Sequence, residues 1–136
     1  MRSLFVAEKG QQNDKSIVFL HASGSSSQMW AHHIAELKND FHCIAVDLPG
    51  HASSRDIEWT NFNDVTEMIA DIIKNRAHGK PHLVGLSLGG GLVLKLLEKH
   101  ADLFDRAIVD VASHEPINGH GKVIAVVYIM SLFKNT

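Results

Sequence analysis

From Ser16 onward, short apolar runs alternate with amphipathic segments, the pattern of parallel strands joined by helices. Ile17 to His21, His42 to Leu48, His82 to Leu86 and Arg106 to Val111 are apolar on both faces, as strands buried between two helical layers are. Between them, Trp30, Ile34 and Leu37 form one helical stripe. Phe62, Val65, Met68, Ile69, Ile72 and Ile73 form a stronger one, which Asn61 and Asp64 are placed to cap. Leu88, Leu92, Val93, Leu96 and Leu97 form a third. Leu4 to Ala7 reads as an outer strand, followed by a polar turn from Lys9 to Lys15. The expected class is α/β, a mostly parallel sheet with flanking helices.

Val123 to Phe133, apolar except for Ser131, is shorter than the roughly twenty residues a helix needs to cross a bilayer. It is expected to be a helix covered by other protein. The 136 residues allow one domain at most. Thirteen Lys and Arg against 15 Asp and Glu give a formal charge of −2, with no basic excess for a phosphate backbone or an anionic membrane. The lone Cys43 has no intramolecular partner for a disulfide, and no secretory leader is visible at the amino terminus, so a cytoplasmic protein is expected. Ten histidines invite a metal reading, but their spacing does not support one. His32 and His33 are adjacent, and Gly79 and Pro81 interrupt the interval between His78 and His82. Neither a metal nor a cofactor is expected.

Gly85-Leu86-Ser87-Leu88-Gly89 fits G-x-S-x-G, with an apolar strand entering and a helical stripe leaving. In that setting a sharp, strained turn lifts the serine hydroxyl out of the sheet. Gly85 and Gly89 are needed because side chains there would meet the neighbouring strand and helix. A Gly-rich turn that merely opens a helix is the plainer reading of the same residues. Two other segments end strands at the same edge, where open parallel sheets bind their ligands. His21-Ala22-Ser23-Gly24-Ser25 can aim backbone N–H groups at a developing oxyanion, and Asp47-Leu48-Pro49-Gly50-His51 makes a tight turn.

Together these segments resemble the amino-terminal half of the α/β-hydrolase fold, in particular its esterase, thioesterase and C–C-bond hydrolase branch. The resemblance spans residues 1 to 113, and residues 114 to 136 then read as the start of a cap region or a carboxyl-terminal helix. It implies Ser87 as nucleophile and the backbone N–H groups of Ser23 and Leu88 as the oxyanion hole. Asp47, Pro49, Gly50 and Ser53 match the motif that shapes the loop beside the site. Ala22 and Ala52 stand where the family commonly has glycine, and alanine is strained at either if the backbone there requires positive φ.

In this fold the acid and the histidine follow the serine along the chain. The resemblance places both beyond Thr136, which implies a chain truncated before them. Asp110 and His114 are the local candidates for acid and base, and His120 also follows at this edge. His21 and His51 read as loop supports, with His21 the less favoured alternative base. The expected function is serine hydrolysis of an ester, thioester or related small acyl substrate, impaired in this short chain. The alternative is an inactive fragment that serves as an interaction module or as half of a split enzyme. Lyase or carbon–carbon cleavage chemistry with the same serine stays open. A bare strand edge beyond Arg106 to Val111 and an apolar sheet face would favour self-association.

Overall fold

The computed structural model describes residues 3–112 and 125–131. The strands are β1 (Val6–Lys9), β2 (Ser16–Leu20), β3 (His42–Val46), β4 (His82–Leu86), β5 (Arg106–Ala112) and β6 (Ala125–Ser131). The helices are α1 (Ala31–Leu37), α2 (Phe62–Arg76) and α3 (Leu88–His100). Among the described residues the strands form one sheet in the order β1-β3-β2-β4-β5-β6. β3, β2, β4 and β5 run parallel, and β1 and β6 join antiparallel at the two sides. The first strand lies slightly later than Leu4 to Ala7, and Leu4 is instead buried in the core just before it.

Alternation along the strands divides the core in two. Val18, Leu20, Ile44, Val46, Leu83, Ala107 and Val109 pack with α2 and α3 through Val65, Ile69, Ile73, Leu92, Val93 and Leu96. On the other face Ile17, Phe19, Cys43 and Ala45 pack against Trp30 and Ile34, with Leu37 half-buried beside them. This second layer is thin. Ile108 is 47% exposed, and Val84 and Leu86 are only half-buried. Asn61 caps α2 as its position implies: its side-chain oxygen accepts from the Asp64 N–H at 2.8 Å, and its amide donates to the Asp64 carboxylate at 3.0 Å.

The carboxyl-terminal apolar run departs from the sequence expectation. Ala125–Ser131 is a strand, paired antiparallel with β5 from Arg106↔Ser131 to Ala112↔Ala125. Its valines, isoleucine and tyrosine favour an extended chain, and pairing satisfies an edge that would otherwise be open. The edge beyond Arg106 to Val111 is therefore not bare. The boundary between 113 and 114 falls outside the described residues.

The chain leaves β2 for β3 on one side and then crosses to β4 on the other, so the connections diverge between β2 and β4. A crevice opens at such a reversal, beyond the carboxyl ends of the strands.

Candidate active site

Ser87 lies at the carboxyl end of β4, between β4 and α3, with φ 54° and ψ −110°. A non-glycine residue with this backbone is strained and must be held by its surroundings. Three backbone bonds do so. The Ser87 N–H donates to the Asp110 carbonyl at 2.6 Å, Gly91 N–H donates to the Ser87 carbonyl at 2.9 Å, and Gly89 N–H donates to the His21 carbonyl at 3.0 Å. The last ties the start of α3 to the end of β2. The flanking glycines are there for space: a Cβ on Gly85 would lie 2.5 Å from the Gly89 carbonyl oxygen, and one on Gly89 would lie 2.1 Å from that of Leu20.

Leu88 is the first residue of α3, so its N–H has no acceptor within the helix and lies at the positive end of the helix dipole. Ser23 is exposed in the loop that follows β2, two residues beyond His21. Asp110 pairs in register with Leu86, one residue before the serine, and is half-buried. Ser87, Leu88, Ser23 and Asp110 thus gather at one edge of the sheet. His114 and His120 lie outside the described residues.

Three side chains stitch the β2 loop to the β3 loop. Buried Asp47 accepts from Ser27 N–H at 2.7 Å and from Ser53 N–H at 3.1 Å. Buried His21 accepts at Nε2 from Leu48 N–H at 3.0 Å, which leaves its proton on Nδ1, 2.7 Å from the Ala22 carbonyl. His51 does the same, accepting at Nε2 from Gly24 N–H at 3.0 Å and directing Nδ1 to the Pro49 carbonyl at 2.9 Å. Burial, together with the nearby His51, holds His21 below its ordinary pKa, although the Ala22 carbonyl and Asp47 pull the other way. Both ring nitrogens of His21 are engaged in the loops, the geometry of a support rather than of a base facing Ser87. Ala52 has φ 44°, so alanine is strained at this departure from the family pattern. Ala22 is not among the positive-φ residues.

A buried relay at the opposite edge of the sheet has no counterpart in the sequence reading. The His78 N–H donates to Ser16 Oγ at 2.7 Å, Ser16 Oγ meets His42 Nδ1 at 2.8 Å, and His42 Nε2 meets Glu8 Oε2 at 2.8 Å. Arg76 pairs with the other Glu8 oxygen. The only sequence signal was two polar residues, Ser16 and His42, opening two otherwise apolar strands.

A model of the alpha/beta hydrolase family matches residues 17–133. The chain belongs to that family. Among relatives, a Haemophilus influenzae protein with the provisional name 2-succinyl-6-hydroxy-2,4-cyclohexadiene-1-carboxylate synthase is 42% identical over 80 residues, which is 58% of this chain and 32% of that protein. The 3-oxoadipate enol-lactonase 1 of Acinetobacter baylyi is 33% identical over 89 residues, 65% of this chain and 34% of its own. The pimeloyl-[acyl-carrier protein] methyl ester esterase of Nitrosomonas europaea is 34% identical over 96 residues, 71% of this chain and 36% of its own. This alpha/beta hydrolase chain therefore spans about a third of the length of the curated relatives it matches.

Solved structures agree on the fold. A serine hydrolase from Cycloclasticus zankles superposes with a TM-score of 0.72 at 27% identity, covering 83% of this chain and 44% of that one. A marine microorganism esterase reaches 0.76 at 23% identity, covering 87% and 46%. Among the described residues, no helix is long and apolar enough to cross a membrane.

Proposed function

We propose that this chain carries the nucleophile and oxyanion hole of a serine hydrolase acting on an ester, thioester or related small acyl substrate. Ser87 attacks the carbonyl carbon, and the N–H groups of Leu88 and Ser23 hold the oxygen as negative charge develops on it. The observation that carries the reading is the Ser87 backbone, φ 54° and ψ −110°, braced between Gly85 and Gly89 where a strand turns into a helix. Relatives named as an enol-lactonase and a methyl ester esterase support small carbonyl substrates.

The serine needs a base to take its proton and an acid to orient that base. Asp110 and His114 are the candidates within the chain. The family resemblance puts the acid and histidine in later strands, and the relatives are about three times the matched length. These 136 residues alone accordingly work well below the rate of a complete family member. A fluorophosphonate probe should label wild type and not Ser87→Ala. Equal labelling of both, or none of either, overturns the reading.

A second reading is half of a split enzyme or an interaction module, favoured by the half-exposed apolar face around Ile108. Mixing with the carboxyl-terminal portion of a relative should restore ester hydrolysis if the chain is half of an enzyme, and should leave it absent if the chain is a binding module.

A further inference from the structure

Ser23 and Gly24 form the tip of a turn beyond the end of β2, closed on itself by the Ser25 N–H donating to the Ala22 carbonyl at 3.1 Å. Gly24 has φ 76°, and a Cβ there would meet nothing within 4 Å, so no neighbour packs against the turn at that position. Glycine takes the positive φ of such a turn without strain, but the turn's own bond does not fix its direction relative to the rest of the site. Yet the adjacent Ser23 N–H must point at one place if it is to stabilise an oxyanion, because a donor that has to reorganise during the reaction loses much of its effect. Among the described residues, one hydrogen bond ties this segment to another part of the chain: Gly24 N–H to His51 Nε2, at 3.0 Å.

We infer that His51 is the positioning residue of the oxyanion loop, acting through Gly24 on the Ser23 N–H. The inference rests on the Ser87 reading above. A backbone N–H can only donate, so Nε2 must present its lone pair and the ring proton must sit on Nδ1. Nδ1 lies 2.9 Å from the Pro49 carbonyl, an acceptor that suits this tautomer. The ring is therefore gripped at both ends, and Pro49 has its own φ restricted by the pyrrolidine. His21 backs the arrangement from behind. Its ring meets that of His51 edge-on at 4.9 Å between centroids, and its Nε2 holds the Leu48 N–H one residue before that proline. Asp47 completes the frame by fixing Ser27 at the far end of the same loop. His21, Asp47 and His51 thus tie the β2 loop to the turn that follows β3. His51 occupies a variable position of the resembled motif, so the motif alone does not assign it this task.

The full chain carries the test, with His51→Leu removing the acceptor and His51→Gln returning an amide oxygen near the position of Nε2. Nitrogen-15 spectra of the wild type should show His51 with its proton on Nδ1. Exchange of the Gly24 amide should accelerate at least about tenfold in His51→Leu and return toward wild type in His51→Gln. Fluorophosphonate labelling of Ser87 should slow by about tenfold in His51→Leu and recover in the glutamine variant. A proton on Nε2, or Gly24 exchange unchanged by His51→Leu, overturns the positioning role even if Ser87 labels normally. Failure of wild-type Ser87 to label, with Gly24 exchange still dependent on His51, sinks the serine reading and leaves the loop clamp standing.

Discussion

The Cβ that Gly89 lacks would lie 2.1 Å from the Leu20 carbonyl oxygen, so the start of α3 and the end of β2 touch backbone to backbone. No side-chain rotation relieves that contact. Gly89→Ala should cost about 3 kcal/mol or more, at the upper end for overpacking. Gly91→Ala is the control: its Cβ would meet only the rim of Phe62 at 3.4 Å, and alanine favours the helix by up to about 1 kcal/mol. Urea unfolding of the two variants should therefore move in opposite directions. Equal midpoints would remove the close approach as the reason for glycine at 89.

Ala52 is the reverse case, a side chain where the backbone wants none. With φ 44° it sits in the left-handed region, which costs an L-residue roughly 1–2 kcal/mol. Glycine relieves that strain and returns part of the gain as unfolded-state entropy. Ala52→Gly should raise stability by about 0.5–1 kcal/mol, the net of those two effects. A lower thermal midpoint would show that Ala52 makes contacts worth more than its strain.

The elements that these variants probe were legible to very different degrees. Doubly apolar runs and helical stripes announced the four parallel strands and the three helices, because each buries a face whose period is written locally. The strained backbone at position 87 was equally legible, since such a turn demands small neighbours on both sides. The strand Ala125–Ser131 was not, because a short apolar run fits a helix or a strand and its periodicity does not choose between them. Nor was the Ser16–His42–Glu8 relay. Each residue is unremarkable alone, and only the sheet order brings β1, β2 and β3 together to join them.

That relay makes its own prediction. Ser16 Oγ accepts from the His78 N–H, so its proton is directed to His42 Nδ1, leaving the Nε2 proton for Glu8. Ser16 and His42 are fully buried, so Ser16→Ala strands both neighbours without water. The expected loss is about 2–3 kcal/mol, measured by chemical unfolding. A loss below about 0.5 kcal/mol, the low end for a single hydrogen bond, would mean that water replaces the hydroxyl.

Stability should fall on mild acidification, and two histidines set the sign. Burial lowers the pKa of His21, and burial with the neighbouring Lys15 lowers that of His82, both from an ordinary 6.5. The unfolded chain takes up these protons near 6.5 while the folded chain resists them. Their contribution is complete above that pH and is lost as pH falls from 6.5 through the lowered values. His82 Nδ1 is also buried without a hydrogen-bond partner among the described residues. His82→Leu should therefore unfold less readily than wild type at pH 5.5 and at least as slowly at pH 7.5. An unchanged pH slope in this variant would take His82 out of the acid response.

β6 covers the β5 edge, and the thinly covered face of the sheet beside it is the surface that favours self-association. Ile108 is 47% exposed there, and Ile17, Val84 and Leu37 line the same shallow groove, whose rim carries His82 and Arg106. Contiguous apolar surface of this kind drives association when no other chain segment covers it. The purified chain should elute as an oligomer whose size grows with concentration. Ile108→Lys places a charge at the centre of that face, where pairing would bury it unpaired, and should shift the population toward monomer without altering the core packed on α2 and α3. Light scattering coupled to size exclusion reads both forms. A wild-type chain that runs as a sharp monomer with two-state unfolding would show that this face needs no partner.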